Sequence, residues 1–431
     1  MHPPAQPPAG EAQLRAETRV APDRAGLPAL PRAGWSWPRV LNWHLARFLT
    51  FLLDRLMLRM EVRGVDSVPP DGPFLLLPNH TTFLDPFVVT APLGRPCTYM
   101  ASVALLRVPV LGWWLAKLGA FPKIKYVKDR DAMATMQRLW DEGNVVTIFP
   151  EGRRCWDGET LPMQPGMGRL IKRLDAKVVY ARLHNAYLFQ PRWAKYPRYV
   201  PLEIDYDGPH HYGPEWTDEA LDAEVQGRIR AHQRLRPGMK VFGWRMAHGL
   251  PALLWSCPAC RALEALTVDP KDGNAVRCRS CGAGWRVDAE SLLHPDAGGP
   301  AESVGAHYRA QLRHFGAPPT PDPALLAREG VVLRGAQGAV RRVQKKGRPA
   351  LLAAGEVTLT PEALELRGPD GRPTWARPLT ALETISIEVG NRVQLRLDGE
   401  LHELDVGGRS LLLWGHFLLA WKHPGEEVLV G

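Results

Sequence analysis

Long apolar runs are missing from this 431-residue chain. No stretch offers the ~20 uninterrupted apolar residues that a membrane-spanning helix requires. The nearest approach, "VLNWHLARFLTFLLDRLMLRM" (Val40–Met60), is broken by Arg47, Asp54, Arg55 and Arg59. Cysteine is scarce: there are six, and four of them fall in two CxxC pairs, a metal-binding pattern of reducing compartments rather than a disulfide framework. The N-terminal stretch lacks the basic start and apolar core of a secretion signal. It is rich in Pro and Ala instead, and residues 1–33 are expected to be disordered.

Positive charge is what the chain has in excess. Its 54 Lys and Arg outnumber 45 Asp and Glu, for a formal charge of +9. Such a balance favours polyanionic partners: nucleic acid, phosphorylated metabolites or an anionic membrane surface. With 45% hydrophobic and 23% charged residues the composition is globular. The length calls for two or three domains.

Within Val40–Met60, residues Leu41, Leu45, Phe48, Leu49, Leu52, Leu53, Leu56, Met57 and Met60 share one face at helical spacing. Residues 34–60 are therefore expected to form an amphipathic helix, either packed on the core or lying in a membrane interface. The tryptophans of "GWSWPRV" just before it favour the interface.

Beyond it, short apolar runs alternate with helical patterns, the signature of an α/β fold. Expected strands are Phe74–Leu77, Val145–Phe149, Lys177–Leu183 and Tyr199–Tyr206. Expected helices start at Pro86 and cover Val110–Gly119, Arg130–Gly143, Gly166–Leu174 and Thr217–Arg236.

Two of these strands run into polar clusters: "PNHTTFLD" (Pro78–Asp85) and "FPEGRR" (Phe149–Arg154). On a straight helix His80 and Asp85 would stand about 140° apart, so they meet only if the chain between them turns. Asp85 before Pro86 suits a helix N-cap, which leaves His80 in the loop with a carboxylate in reach of its ring. A carboxylate on one imidazole nitrogen fixes the tautomer and raises basicity at the other, as a general base requires. The alternative reading is an ordinary histidine near a capping aspartate.

"NHTTFLD" resembles the NHxxxxD signature of the phospholipid/glycerol acyltransferase superfamily, and "FPEGRR" resembles its FPEGTR block at the expected distance. "LGAFPKIK" (Leu118–Lys125) falls where the family has a glycine followed by a basic substrate contact. The resemblance runs from about residue 60 to residue 206 and is nearest to the lysophosphatidate-type enzymes. It implies an α/β acyltransferase domain with a mixed sheet and flanking helices, placed at 61–245. It implies that His80 deprotonates a glycerol hydroxyl, with Asp85 as its orienting partner, and that the alkoxide attacks an acyl thioester directly. Acyl-CoA or acyl-carrier protein would be the donor and a lysophospholipid, 1-acylglycerol-3-phosphate above all, the acceptor. No nucleophile is required, so Cys155 is incidental. Substrate contacts would come from Asn79, Lys125, Glu151, Gly152, Arg153 and Arg154, with Arg154 on the acceptor's phosphate. A guanidinium fork suits phosphate. Glu151 would orient Arg154 or meet a glycerol hydroxyl, and backbone N–H groups after His80 or beside Gly152 would hold the oxyanion. Two residues depart from the family: Arg153 replaces threonine and Lys125 replaces arginine.

Downstream, "CPAC" and "CRSC" supply Cys257, Cys260, Cys278 and Cys281, with 17 residues between the pairs. The spacing fits a zinc ribbon at 250–290, whose four thiolates leave no open position and make a structural site. A linker is expected at 291–325. Residues 326–431 turn to period-two patterning, with "GN" and "DG" as hairpin turns and "SLLLWGHFLLAWK" as a closing helix. A small β-rich unit with a C-terminal helix resembles the pleckstrin-homology-like or GRAM-like class.

The expectation is thus an enzyme of phospholipid biosynthesis, peripheral to the cytoplasmic face of a membrane. The alternative is a catalytically inactive lipid- or nucleic-acid-binding protein. "RRVQKKGR" (Arg341–Arg348) has charge without interleaved aromatics, and no nucleic acid is expected.

Overall fold

The computed structural model of the chain describes residues 36–123, 129–233, 235–316, 319–343, 349–388 and 392–424. Residues 1–33, Trp35 and Lys125 lie outside them, as do the "GN" turn and most of "RRVQKKGR".

The site rests on a seven-stranded mixed sheet. Its strands are β1 (Glu61–Arg63), β2 (Leu75–Pro78), β3 (Cys97–Ser102), β4 (Ala120–Lys123), β5 (Val145–Thr147), β6 (Val178–His184) and β7 (Glu203–His210), in the order β1-β7-β6-β2-β5-β3-β4. Only β6 and β7 pair antiparallel. The apolar runs of the central strands have a direct cause: both faces of the sheet are covered. Leu75, Leu77, Val146, Val178 and Tyr180 enter one core, while Leu76, Val145, Val179 and Ala181 enter the other. Successive side chains of a strand point to opposite faces, so a doubly covered strand must be apolar at every position.

Helices Asp85–Thr90, Leu111–Lys117, Arg130–Asp141, Met167–Leu174 and Asp218–Arg228 flank the sheet near their expected positions. Two of the starts are capped by side chains, Asp129 accepting from the Ala132 N–H and Thr217 from the Ala220 N–H. The expected strand at Tyr199–Tyr206 begins later, at Glu203, and β1, β3 and β4 were not expected at all.

The N-terminal helix, Trp37–Leu53, ends in a wide turn at Asp54–Leu58 and stops at Arg59, whose φ is +43°. It packs through Trp43 and Ala46 onto Leu118, with Arg39 and Thr50 also buried. The apolar stripe faces outward: Leu41, Leu45, Phe48, Leu49, Leu52 and Leu56 are between 44% and 63% exposed. Leu53, Met57 and Met60 of the same stripe pack against the core instead. Exposed Val110 and Trp113 lie at the start of the neighbouring Leu111–Lys117 helix.

Residues 266–303 form a five-stranded antiparallel sheet, and the stretch read as a linker carries the helix Val304–His314. The chain then builds seven antiparallel strands between Leu333 and Asp405. At the expected "DG" turn Asp398 and Gly399 have φ of +49° and +77°, the left-handed pair that a tight hairpin demands. The helix Leu411–Lys422 closes the unit, burying Leu413, Trp414, Phe417 and Leu418.

Candidate active site

β2 and β5 are parallel neighbours, with Leu75 opposite Val146 and Leu76 opposite Thr147. Parallel neighbours end on the same edge of the sheet, so topology alone sets "NHTTFLD" beside "FPEGRR".

Asp85 opens the Asp85–Thr90 helix but faces backwards instead of capping it. Its Oδ2 accepts from the Thr81 N–H at 2.5 Å and the Thr82 N–H at 2.8 Å, and its Oδ1 from the Thr82 hydroxyl at 2.6 Å. Oδ2 also lies 2.9 Å from His80 Nδ1. A carboxylate has only acceptors, so Nδ1 carries the ring proton and Nε2 carries the lone pair. The His80 ring stacks on Phe149 with centroids 4.1 Å apart. It remains 20% exposed, whereas Asp85 is fully buried. The ring is thus gripped by an apolar face and a carboxylate while one edge reaches solvent. An imidazole held this way can take a proton from a hydroxyl.

Glu151 does something its sequence context did not disclose. It is 0% exposed and accepts from two backbone N–H groups, His80 at 2.6 Å and Leu161 at 2.8 Å. Burial pushes its carboxyl up to about 8, against the pull of those two donors and of nearby Arg153. Glu151 is a brace between the two motif loops. The Cys155 N–H adds a weaker tie to the His80 carbonyl at 3.4 Å.

Asn79, expected at the substrate, is buried; its amide accepts from the Leu183 N–H at 2.7 Å and donates to the Leu183 carbonyl at 3.3 Å. It extends the pairing of β2 with β6 by one step. Gly152 has φ of +67°, and its N–H closes a turn onto the Phe149 carbonyl at 3.0 Å. A side chain there would meet only Gln164, so the glycine serves the left-handed turn rather than a close approach. Of the N–H groups after His80, those of Thr81 and Thr82 are engaged on Asp85.

Arg153 and Arg154 are half-buried on this loop, and the Arg154 carbonyl accepts from Arg192 Nη1 at 3.1 Å. Cys155 is fully buried, and burial holds its thiol well above the ordinary range. That is the state of an inert thiol, in line with its expected incidental role.

The four ribbon cysteines converge. Their sulfurs all lie within 4.8 Å of one another, with Cys257–Cys281 at 3.9 Å and Cys260–Cys278 at 3.8 Å. A disulfide would bring two sulfurs to about 2.05 Å. Tetrahedral ligation at about 2.3 Å per bond separates the sulfurs by about 3.8 Å. The donor set therefore fits one tetrahedral thiolate-bound ion.

Comparison with known proteins agrees with the geometry. Residues 59–182 match the family model described as Acyltransferase. The chloroplastic 1-acyl-sn-glycerol-3-phosphate acyltransferase BAT2 of Brassica napus is 26% identical over 125 residues, 28% of this chain and 36% of that protein. The 1-acyl-sn-glycerol-3-phosphate acyltransferase of Saccharomyces cerevisiae is 26% identical over 167 residues, 36% of this chain and 55% of its own. The human 1-acyl-sn-glycerol-3-phosphate acyltransferase alpha is 28% identical over 158 residues, 35% and 55% respectively. The crystal structure of the 1-acyl-sn-glycerophosphate acyltransferase PlsC from Thermotoga maritima overlaps with a TM-score of 0.37 at 16% identity, covering 44% of this chain and 76% of that one, too loosely to carry an argument.

Residues 59–182 thus carry an acyltransferase domain similar to those of the phospholipid/glycerol acyltransferase superfamily. It spans about a third to just over half of the length of the curated relatives named here.

The Glu151 brace has a pH signature. Its pKa is raised from 4.5 to about 8 in the fold, so between those values the native state holds a proton that the unfolded chain has released. Stability is then fully present below about pH 4.5 and is lost as pH rises towards 8. Glu151→Gln should flatten this part of the stability profile, measured by urea unfolding at several pH values. An unchanged slope would show that Glu151 does not carry the proton.

Proposed function

We propose that this chain transfers a fatty acyl group from an acyl thioester to the free hydroxyl of a lysophospholipid, with 1-acylglycerol-3-phosphate the acceptor its relatives' names favour. Acyl-CoA or acyl-carrier protein is the donor. The observation that carries this reading is His80 Nδ1 at 2.9 Å from a fully buried Asp85, at the end of a core strand beside the FPEG loop. Nε2 takes the hydroxyl proton as the oxygen attacks the thioester carbonyl. The proton then goes to the departing thiolate, so acid and base roles are discharged by one ring. Arg154, with Arg153 beside it, grips the acceptor's phosphate, for which a fork of N–H donors is suited. Lys125, which lies outside the described residues, is a further candidate for that charge.

A lipid acceptor has to be met at a membrane, and the outward apolar stripe of the N-terminal helix supports a seat in the interface. No helix among the described residues is long and apolar enough to cross a membrane. We assign the face as cytoplasmic on the cysteine pattern. The four-cysteine site we assign to structural zinc: all four positions are taken by protein, so it stabilises fold and does no chemistry. The pleckstrin-homology-like or GRAM-like reading of the C-terminal unit is supported by its strand order. Four strands in sequence are followed by three, the first of the seven pairs with the last, and a helix closes the unit.

His80→Ala should lower acyl transfer on the order of 10³-fold with unchanged folding and metal content, assayed on a panel of lysophospholipids and glycerol 3-phosphate. Near-normal turnover would discard the base role. Arg154→Ala should raise the acceptor KM about 10- to 100-fold, the loss of one or two charged hydrogen bonds. An equal rise in the thioester KM would remove the phosphate assignment. Metal analysis of reduced protein should find one zinc per chain, absent from Cys257→Ser; protein without zinc would overturn that assignment.

A further inference from the structure

The segment that follows the FPEG motif is held from outside the motif at nearly every residue. At Arg154 the backbone carbonyl accepts from Arg192 Nη1 at 3.1 Å. At Cys155 the N–H faces the His80 carbonyl. At Trp156 the carbonyl accepts from the Tyr187 hydroxyl at 3.3 Å, and that hydroxyl accepts from Trp193 Nε1 at 3.0 Å. At Asp157 the carboxylate pairs with Arg309 at 2.6 Å. The helix Val304–His314, which carries Arg309, lies so close that a side chain on Gly305 would stand 2.5 Å from the Asp157 carbonyl.

Arg192 is the centre of this arrangement. Its guanidinium lies 3.9 Å from the Trp156 ring centroid. Its second fork nitrogen, Nη2, donates at 2.7 Å to the carbonyl of Ile387, a residue of the C-terminal sheet 195 positions away. Trp156 itself is buried with Trp193 in the apolar cluster that continues through the ribbon and into that sheet. One planar fork thus joins the loop bearing Arg153 and Arg154 to the far end of the chain. Lysine could not do this, because a point charge cannot hold two carbonyls in fixed directions while its plane lies on a ring.

The segment needs such a hold. It runs between Gly152 and Gly158, with φ of +67° and +89°, two positions where the backbone turns through the region open chiefly to glycine. A loop hinged at both ends presents a guanidinium in one direction only if its middle is pinned.

We infer that Arg192 is a positioning residue for the acceptor's headgroup, and that with Arg309 it makes the C-terminal half of the chain part of the acyltransferase site. The inference rests on the reading that Arg154 grips the acceptor's phosphate. Arg192 itself touches neither substrate. It fixes the carbonyl of the residue that does, so its loss loosens acceptor binding without disturbing the His80–Asp85 pair.

The test uses the full chain carrying Arg192→Ala, Arg192→Lys or Arg309→Gln, with hydrogen exchange of the 152–158 peptide and steady-state kinetics on 1-acylglycerol-3-phosphate and acyl-CoA. Arg192→Ala should speed exchange in that peptide and raise the acceptor KM on the order of tenfold, with donor KM and kcat within about twofold. Arg192→Lys should fall between it and the wild type. Should Arg192→Ala fail to fold, Arg192→Lys and Arg309→Gln carry the same comparison. Unchanged exchange in 152–158, or KM values for both substrates moving together, would overturn the inference. A wild-type chain that acylates nothing would instead sink the function proposed above, while the exchange comparison would still decide whether Arg192 pins the loop.

Discussion

A carboxylate taken out of water must be given hydrogen bonds or surrender its charge, and this site is organised around two that are wholly buried. Asp85 gathers the Thr81 and Thr82 N–H groups, the Thr82 hydroxyl and the His80 ring. Glu151 gathers the His80 and Leu161 N–H groups. His80 is therefore held at both ends, its ring by one acid and its backbone by the other. The two demands act in series: the loop after β2 folds back to satisfy Asp85, and the loop after β5 closes over it to satisfy Glu151. The histidine's direction follows from both.

The surroundings extend the same logic outward. A mixed sheet covered on both faces brings two strand ends together at one edge, and both polar motifs lie there, beyond the apolar runs of the central strands β2 and β5. The N-terminal helix turns Arg39, Trp43, Ala46 and Thr50 to the protein and leaves Leu41, Leu45, Leu49 and Leu52 exposed. After the FPEG loop, Trp156 and Arg192 connect to the C-terminal sheet, through a shared apolar cluster and a hydrogen bond to the Ile387 carbonyl.

Much of this was legible in the sequence because it depends on local pattern. The motifs, the central strands, the cysteine pairs and the "DG" turn are short signals in which residue type and spacing carry the meaning. β1 and β3 were missed because "EVR" and "CTYMAS" have neither apolar alternation nor a continuous apolar run. β4, "AFPK", lies at the sheet's edge, where a proline is tolerated. The role of Glu151 was hidden because its partners are backbone N–H groups, which every residue owns. The tie made by Asn79 was hidden for the same reason: its partners are the Leu183 backbone, 104 residues away. Arg192 gave no signal at all. Its meaning lies in carbonyls and a ring supplied by two separate stretches of chain, and no spacing rule reaches across them.

The proposed proton transfer depends on the protonation of one ring. Nitrogen-15 NMR of histidine-labelled protein, with His80 assigned by comparison with the His80→Ala variant, reads the tautomer directly. The account predicts that neutral His80 carries its proton on Nδ1, with Nε2 bare. A His80 signal with the proton on Nε2 would contradict it, because the carboxylate of Asp85 would then hold no donor from the ring and the outward nitrogen could accept no proton.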